Sequence, residues 1–374
     1  MEGYGEKDVL RLARRLNNPK RSYLLVDPLQ GKHIPVSPGR ALDMMTALGR
    51  RLAEAYPETR LVIGFAETAT AVAAAAAGCL GPETVLLQTT REDLPGPWLG
   101  FREEHSHAVE QRLSAAGLAD RIAAAGTVAF VDDEFSTGRT LRNVARRLRE
   151  EVPALADCRA VAAAVVDRLS PDRLAGLAEE GIECLSLVRP APADFEALVR
   201  DWPVRPAEEL PRPAAGRPWF RPALTVRPGD PRLGVSAAGY GADCRRLAEE
   251  LLEQVRDRLP PAGSLLVLGT EECMYPALVL GRLLEETFPA ARVLCHATTR
   301  SPIGVWDAPG YPIRNGVRLE SFYDPARTTY LYDLTACDAA LVVSDAPAPS
   351  EGALAGLAAA LDRLGRPELI YAGV

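Results

Sequence analysis

Continuous apolar runs of strand length alternate with helical segments along the first half of the chain. The runs are RLVIGF (60–65), TVLLQ (84–88), TVAFVD (127–132) and AVAAAVVD (160–167), and ECLSLV (183–188) would add one further strand. TATAVAAAAAG and LRNVARRLREEV, which lie between the runs, have the composition of helices. Because the runs are continuously apolar instead of alternating, their strands should be buried on both faces. The pattern therefore predicts an α/β fold with a parallel sheet that is covered by helices.

Prolines divide this region from the rest of the chain. Eight of them fall in positions 189 to 222, and proline occupies neither a central strand nor a helix interior. We therefore predict a first α/β domain at residues 1–188, a proline-rich linker at 189–221 and a second α/β domain at 222–374. A short helix at ADFEALVRDW (193–202) is an option within the linker.

Composition narrows the classes of function. The net charge of −7 is unlike the basic surface of a non-specific nucleic-acid binder. No apolar run reaches the roughly 18 residues of a membrane-spanning helix, and the N-terminal segment has no apolar core of a secretion signal. The seven cysteines are scattered and form no CxxC pair, which predicts reduced thiols in a cytoplasmic protein without a zinc site. We expect neither a nucleic-acid partner nor a membrane partner.

The stretch VAFVDDEFSTGRTLRNVARRL, from residue 128, places two carboxylates and a loop of small residues at the end of a predicted strand. Ligands of open parallel sheets bind at the carboxyl ends of the strands. Backbone N–H groups at the start of the next helix, which we place near Leu141, and the hydroxyls of Thr137 and Thr140 suit a phosphate monoester. Asp132 and Asp133 suit a vicinal diol, because carboxylates accept strongly from neighbouring hydroxyls. The stretch predicts a ribose 5-phosphate site, and an ordinary capped strand–helix turn is the alternative.

The second half of the chain repeats motifs of the first half in the same order. The paired segments are LVIGFAETATAVAAAAAG (61–78) with LLVLGTEECMYPALVLGRLLEE (265–286), TVLLQTTR (84–91) with RVLCHATTR (292–300), and the stretch from residue 128 with ALVVSDAPAPSEGALAGLAAAL (340–361). In the last pair Ser344 replaces the first aspartate and the loop is longer. Three similarities in one order favour a duplication whose second copy has lost its phosphate loop. Chance similarity between strand–turn–helix units is the alternative.

VAFVDDEFSTGRT resembles the phosphoribosyl-pyrophosphate (PRPP) signature of type I phosphoribosyltransferases. NNPKRSYLLVDPLQGKHIPVSP (17–38) and FREEHSHA (101–108) are similar to one branch of that family, the phosphoribosyltransferase-like proteins of tellurium-resistance-associated gene clusters. TRSP (299–302) is similar to the namesake motif of the TRSP domain that accompanies this branch. The resemblance covers nearly the whole chain. It implies a Rossmann-like phosphoribosyltransferase domain followed by a TRSP-type α/β domain. The repeated motifs leave a degenerate duplicate of the first domain as one option for this second domain.

The resemblance implies roles for individual residues. Asp132 and Asp133 would hold the ribose hydroxyls and Mg²⁺, the ion either directly or through water. The residues around the 5-phosphate would be Glu134, Phe135, Ser136, Thr137, Gly138, Arg139 and Thr140. Pyrophosphate would face the backbone amides of a second group of residues, with a strained peptide as one option for their geometry. This group would be Ala66, Glu67, Thr68 and Ala69. For this second group a plain strand–helix turn is the alternative, and Glu67 fits only if it faces Mg²⁺ or water.

The segment TTREDLPGPWLGFREEHSH (89–107) lies where the family has a mobile loop that closes over the reacting carbon and excludes water. Arg91 could neutralise the departing pyrophosphate. His105 and His107 could act as general acid or base, and Glu104 is a further catalytic candidate. The alternatives are an ordinary solvated loop and, for the two histidines, a metal site without an evident third ligand.

The acceptor stays open. Purine-salvage members of the family carry an aspartate where Ser136 stands, so hypoxanthine, guanine and xanthine are disfavoured. Lys32 and His33, in GKHIP, lie where a hood over the acceptor would sit, with a charged surface turn as the alternative. Arg300 is a third candidate for binding the acceptor, because the second domain combines it with Arg327 and other polar loop residues as an anionic ligand would require. The alternative is that these arginines pair with nearby acids such as Asp324 and Asp333.

Three functions follow from these observations. The first is a Mg²⁺-dependent phosphoribosyltransferase that joins PRPP to an unidentified small-molecule acceptor in a stress pathway associated with tellurium resistance. The second is a non-catalytic sensor or regulator that binds PRPP or a nucleotide. The third is a hydrolase that removes the phosphoribosyl group from a nucleotide. A homodimer is an option for each of them.

Overall fold

The computed structural model describes residues 3–18, 21–101, 111–211 and 216–374. The strands are β1 (Arg11–Arg14), β2 (Tyr23–Val26), β3 (Thr59–Gly64), β4 (Val85–Gln88), β5 (Trp98–Phe101), β6 (Gln111–Ser114), β7 (Thr127–Phe135), β8 (Arg159–Asp167), β9 (Ile182–Val188), β10 (Glu208–Glu209), β11 (Val235–Ser236), β12 (Ser264–Gly269), β13 (Arg292–Ala297), β14 (Gly316–Glu320), β15 (Thr328–Tyr332), β16 (Ala339–Ser344) and β17 (Glu368–Gly373). The α-helices are α1 (Glu6–Val9), α2 (Pro38–Ala55), α3 (Thr70–Ala77), α4 (Leu118–Ala123), α5 (Arg139–Glu151), α6 (Pro171–Glu179), α7 (Phe195–Val199), α8 (Ala237–Val255), α9 (Tyr275–Thr287) and α10 (Glu351–Asp362).

The chain divides into two compact units that are not continuous in sequence. The first unit consists of Met1–Glu6, Asp43–Pro192 and Pro228–Asp243. The second unit consists of Lys7–Leu42, Ala193–Arg227 and Cys244–Val374. Residues 7–42 therefore precede the core of the first unit but belong to the second unit. Residues 228–243 precede the core of the second unit but belong to the first. The domain boundaries predicted at residues 188 and 222 stay a prediction. The two compact units are each made of several separate segments of the chain, so they do not correspond to continuous domains.

The first unit is built on a six-stranded sheet with the order β11-β4-β3-β7-β8-β9. The neighbouring strands β4, β3, β7, β8 and β9 are all parallel to one another. The short strand β11 pairs antiparallel with β4 at the edge of the sheet. The central strands are buried because their side chains are apolar on both faces, as the continuous runs require. Alanine-rich α3 approaches β3 so closely that a Cβ added at Gly64 would lie 2.4 Å from Ala73 Cβ.

The second unit also contains a parallel sheet, which has the order β13-β12-β16-β17. A separate sheet joins β14 and β15 as an antiparallel pair, with β10 parallel to β14. The short strand β10 and the helix α7 lie inside the proline-rich segment that we predicted as a linker. Part of that segment therefore belongs to the architecture of the second unit.

These observations confirm the predicted fold class, an α/β protein with a second α/β domain. The five predicted strands of the first half are present, and their ends differ from the apolar runs by a few residues at most. The largest difference is in β7, which continues through the acidic residues to Phe135. Within the described ranges, the helices are too short or too polar for any of them to cross a membrane.

Candidate functional site

The two predicted loops of the first unit lie side by side at the carboxyl ends of β3 and β7. These strands are parallel neighbours, and Gly64 is in register with Val131 near their ends. The Thr68 hydroxyl donates a hydrogen bond of 2.8 Å to Oδ1 of Asp133. The turn after β3 and the acidic end of β7 therefore form one site, which the separate sequence motifs had predicted without showing their contact.

Buried polar side chains stabilise the turn after β3 through hydrogen bonds to its backbone. The Ala66 amide donates to the Thr89 hydroxyl over 2.8 Å, and Nε2 of Gln111 donates to the Ala66 carbonyl over 3.0 Å. The Thr89 hydroxyl in turn donates to Oε1 of Gln111 over 2.7 Å. The peptide bond between Ala66 and Glu67 is cis. Gln111 was missed by the sequence reasoning, because nothing in its local sequence marks it and its partners are more than 20 positions away.

This network corrects part of the prediction for the pyrophosphate turn. We predicted that the amides of Ala66, Glu67, Thr68 and Ala69 face a ligand. The Ala66 amide is used by Thr89, and the Ala69 amide donates to the Phe65 carbonyl over 3.1 Å. Two of the four amides therefore stabilise the turn itself, and the prediction now concerns Glu67 and Thr68 only.

The three acidic residues at the end of β7 have different surroundings. The Asp133 amide donates to Oδ1 of Asp132 over 2.9 Å, and Asp133 accepts from the Thr68 hydroxyl. The carboxylate of Glu134 forms an ion pair of 2.9 Å with Arg168, which follows β8. Burial raises the pKa of Asp132 well above the ordinary value of 3.8, and the neighbouring charge of Asp133 raises the pKa further. Asp132 thus lies where added positive charge would be stabilising.

The raised pKa of Asp132 has a consequence for stability. The folded state disfavours the ionised carboxyl relative to the unfolded chain, so the stability from this group is present at low pH and is lost as the pH rises through the raised pKa. We expect Asp132→Asn to melt at a higher temperature than the wild type at pH 8, with the difference shrinking as the pH falls toward 3.8. Thermal melts across this pH range measure the effect. An asparagine variant that is no more stable at any pH would contradict it.

The phosphate loop is shorter than we predicted. The helix α5 begins at Arg139 instead of near Leu141, so Arg139 and Thr140 lie in its first turn. The Phe135 side chain is 3% exposed and belongs to the hydrophobic core, and the Glu134 carboxylate pairs with Arg168. The side chains of these two residues are therefore engaged elsewhere, and the prediction that residues 134–140 surround the 5-phosphate stays a prediction for their backbone. The turn itself consists of Ser136, Thr137 and Gly138, where Thr137 accepts from the Arg139 amide over 3.3 Å.

Gly138 is the residue of this turn that tolerates substitution least. Its φ is 70°, and an added Cβ would lie 3.1 Å from Cδ2 of Leu169. We expect Gly138→Val to lower the free energy of unfolding by about 1–3 kcal/mol, because β-branched residues are strained at positive φ. We also expect phosphate binding to weaken by about tenfold, since a displaced turn loses at least one hydrogen bond to the phosphate.

Urea unfolding and phosphate titration measure the two effects. The matched control is Gly117→Val at the start of α4, where φ is 63° and an added Cβ would meet nothing within 4 Å. It shares the backbone strain but lies outside the candidate site. Equal phosphate affinity in both variants would show that Gly138 has no special role in the site.

The predicted catalytic loop is described only in part. Arg91 is exposed, and the adjacent Thr90 exchanges backbone hydrogen bonds of 2.8 and 2.9 Å with Arg112. The strands β5 and β6 form an antiparallel pair on either side of residues 102–110. The catalytic candidates Glu104, His105 and His107 lie outside the described residues, so their roles stay predictions.

The three candidates for acceptor binding all belong to the second unit. Lys32 is 0% exposed and His33 is 2% exposed, so the alternative of a charged surface turn is wrong. Nζ of Lys32 donates to the carbonyls of Glu271 and Thr298 over 2.7 and 2.9 Å. The Arg300 side chain pairs with the Glu271 carboxylate over 2.5 Å. The contacts of Lys32 and Arg300 thus lie within the second unit, and binding of the acceptor by these residues stays a prediction.

Two family models match the chain one after the other. The model of a phosphoribosyl transferase family, PRTase_2, matches residues 9–190. The model of the TRSP domain, which is found C-terminal to that transferase domain, matches residues 231–361. Residues 9–190 belong to this phosphoribosyl transferase family, and residues 231–361 belong to the TRSP domain that accompanies it. Members of the family are described as phosphoribosyl transferases, and the order of the two models is the order of the motifs in this chain.

Several solved structures are similar to about half of the chain at low sequence identity and with low TM-scores. Adenine phosphoribosyl transferase from Trypanosoma brucei is 12% identical, with a TM-score of 0.36, over 52% of this chain and 79% of its own. The enzyme from Giardia lamblia is 16% identical, with a TM-score of 0.37, over 49% and 94% of the two chains. Orotate phosphoribosyltransferase from Aeropyrum pernix is 17% identical, with a TM-score of 0.32, over 52% and 92%. No curated protein matches the chain. At these scores the similarity carries no information about the substrate.

Proposed function

We propose that the first unit is the catalytic unit of a phosphoribosyltransferase that uses PRPP, releases pyrophosphate and joins C1 of the ribose to a small-molecule acceptor. The observation that carries this proposal is the contact of Thr68 with Asp133. It brings the turn after β3 to the paired aspartates, and a glycine-containing turn at the start of α5 follows these aspartates directly. A diol site between two oxyanion sites is what PRPP requires.

The residues of this site divide the ligand between them. The first turn of α5 and the hydroxyls of Thr137 and Thr140 would bind the 5-phosphate, helped by the partial positive charge of the helix N-terminus. Asp132 and Asp133 would accept hydrogen bonds from the 2′- and 3′-hydroxyls. Glu67 and Thr68 would face the pyrophosphate with their backbone. Most of the rate enhancement would then come from positioning and from stabilisation of charge.

The donor set at the end of β7 fits Mg²⁺. Two adjacent carboxylates supply the oxygen ligands that this ion prefers, and the raised pKa of Asp132 indicates a site where a cation would be stabilising. Within the described residues, no cluster of three or more His, Cys, Asp and Glu side chains forms a ready metal site. Asp132 and Asp133 would therefore hold the ion together with water or substrate oxygens. Bound Mg²⁺ would neutralise the negative charge of the leaving pyrophosphate.

Arg91 and Ser136 also have roles in the proposed mechanism. Arg91, exposed near the start of its loop, would approach the leaving group when that loop closes and excludes water. Ser136 in place of an aspartate argues against hypoxanthine, guanine and xanthine as acceptors. The cytoplasmic location, the homodimer and the link to tellurium resistance stay predictions from the sequence.

A pyrophosphate-release assay tests the proposal. The full chain is mixed with PRPP, Mg²⁺ and a panel of candidate acceptors, and we expect release that depends on one acceptor class. Uptake of PRPP without turnover across fractions of a cell metabolite extract would favour the sensor. Formation of ribose 5-phosphate from a nucleotide would favour the hydrolase. Absence of PRPP uptake in calorimetry with Mg²⁺ would exclude all PRPP-dependent functions of the site.

A further inference from the structure

The core of the second unit repeats the core of the first unit, strand for strand. In each unit four parallel strands have the spatial order second, first, third, fourth: β4-β3-β7-β8 and β13-β12-β16-β17. A helix follows the first strand after a turn of equal length, since α3 and α9 both begin six residues after the last glycine of that strand. The residues in register at the strand ends are Gly64 with Gln88 and Val131 in the first unit, and Gly269 with Ala297 and Val343 in the second.

The hydrogen bonds at the strand ends are repeated as well. In the first unit the Ala66 amide donates to the Thr89 hydroxyl over 2.8 Å. In the second unit the Glu271 amide donates to the Thr298 hydroxyl over 3.0 Å. Both threonines stand first in a Thr-Thr-Arg sequence directly after the second strand. Glu271 therefore occupies the position of Ala66.

The rest of the Thr-Thr-Arg sequence confirms this correspondence. Thr90 exchanges two backbone hydrogen bonds with Arg112, and Thr299 exchanges two with Tyr330. In each unit the partner lies on the second strand of the antiparallel pair that separates the second and third core strands. Arg300 therefore occupies the position of Arg91, the residue that we propose to approach the leaving group.

The phosphate turn is the part that the second unit has replaced. The residues that correspond to Asp132 and Asp133 are Ser344 and Asp345, because they follow Val131 and Val343, which are in register with Gly64 and Gly269. The following segment APAPS (346–350) contains two prolines, which have no N–H to offer. The Ser350 hydroxyl caps α10 by accepting from the amides of Gly352 and Ala353 over 3.1 and 3.3 Å. The helix start that would bind a phosphate in the first unit is thus capped by the chain itself in the second.

A carboxylate fills the other oxyanion position of the second unit. The Glu271 side chain is 0% exposed. Its Oε2 accepts from Nε of Arg300 over 2.5 Å and from an Nη of Arg327 over 3.1 Å. Its Oε1 accepts from the Ser321 hydroxyl over 2.5 Å. Two arginines and a hydroxyl thus donate to the two oxygens of one carboxylate. The same set of donors can bind two oxygens of a phosphate or a pyrophosphate.

We propose that the second unit retains an oxyanion site of the duplicated fold and that the Glu271 carboxylate permanently fills it. The chain consequently binds one PRPP, in the first unit, and the second unit takes up a free oxyanion only when the Glu271 side chain is removed. The identification of the native anion as pyrophosphate rests on the proposed function. The presence of a filled oxyanion site does not, because it follows from the repeated geometry and from the partners of Glu271.

Inorganic pyrophosphate is the probe that tests this proposal. In the wild-type full-length chain we expect calorimetry to detect at most one equivalent of pyrophosphate, bound by the first unit. Glu271→Ala should add one further equivalent per chain. Pyrophosphate should also raise the melting temperature of this variant. The matched control is Glu272→Ala, which removes the adjacent buried acid and should create no site.

Each outcome decides the question. A folded Glu271→Ala variant that takes up no more pyrophosphate than the wild type, or uptake of a second equivalent by the wild type, would overturn the proposal. If Glu271→Ala does not fold by itself, its refolding is followed by circular dichroism with and without pyrophosphate: recovery of the folded state only with pyrophosphate supports the proposal, and no recovery overturns it. If the wild type binds no PRPP, the proposed function fails, whereas the pyrophosphate result with Glu271→Ala still judges the filled site.

Discussion

Replacement of both Asp132 and Asp133 by asparagine is expected to lower the affinity for PRPP by about 100- to 10,000-fold. Each hydrogen bond from a hydroxyl to a charged acceptor contributes about 1.5–3 kcal/mol, and two such bonds would lose their charge. Asparagine keeps the size of the side chain and one oxygen acceptor. The contact of Thr68 with position 133 can therefore persist, and the turn after β3 should keep its place. The loss should thus concern binding instead of folding.

Calorimetry with PRPP and Mg²⁺ measures this affinity, and the pyrophosphate-release assay gives the accompanying loss of kcat/KM. Glu150→Gln is a suitable control, because it removes one carboxylate charge from the exposed far end of α5. We expect this control to bind PRPP like the wild type. A change of less than about threefold in the double variant would mean that the two aspartates do not hold the ribose, since a single lost hydrogen bond already exceeds that factor.

Substitution of Glu271 by alanine is expected to destabilise the protein by about 3–5 kcal/mol. Removal of one partner from a buried ion pair leaves the other charge without compensation, and here both Arg300 and Arg327 lose the same carboxylate. The Ser321 hydroxyl loses its acceptor too. The loss should be smaller at high sulfate or pyrophosphate, because an added oxyanion can replace the missing carboxylate.

Denaturant unfolding measures this loss, and Glu286→Ala supplies a matched control. Glu286 also accepts from two arginines, Arg245 over 3.2 Å and Arg282 over 3.0 Å, but its side chain is 43% exposed. Exposed ion pairs contribute at most about 1 kcal/mol, so this variant should be nearly as stable as the wild type. Similar losses in the two variants would show that burial of the Glu271 carboxylate does not matter.

The segment around Lys32 packs into a unit that its position in the chain does not reveal. DPLQG (27–31) and DPRLG (230–234) form the same turn, in which the aspartate accepts from the amide two residues later, at Leu29 over 2.7 Å and at Arg232 over 2.9 Å. The first turn belongs to the second unit and the second turn belongs to the first unit. The resemblance implies that Lys32 lies in a hood over the acceptor, and this role stays a prediction. Order along the chain does not reveal which unit a segment packs into.

The second unit shows the same limit for the arginines. The sequence marks Arg300 and Arg327 as partners for an anion, and Asp324 and Asp333 were the acids considered as alternatives. Arg327 does lie 4.0 Å from the Asp324 carboxylate, as that alternative has it, but the partner that both arginines share is Glu271, which lies 29 and 56 positions away. The Glu271 carboxylate is the anion that the arginines bind.

Local properties of the chain were sufficient to predict the strands, the parallel sheet and the paired aspartates before a phosphate turn, because apolar periodicity and turn chemistry act over a few neighbouring residues. They were also sufficient to suggest the duplication. The exchange of segments between the units, the support of Ala66 by Thr89 and Gln111, and the filling of the second site by Glu271 depended on the tertiary structure. Each of these joins residues that are distant in sequence. Such contacts form only when the whole chain has folded, and local patterns carry no record of them.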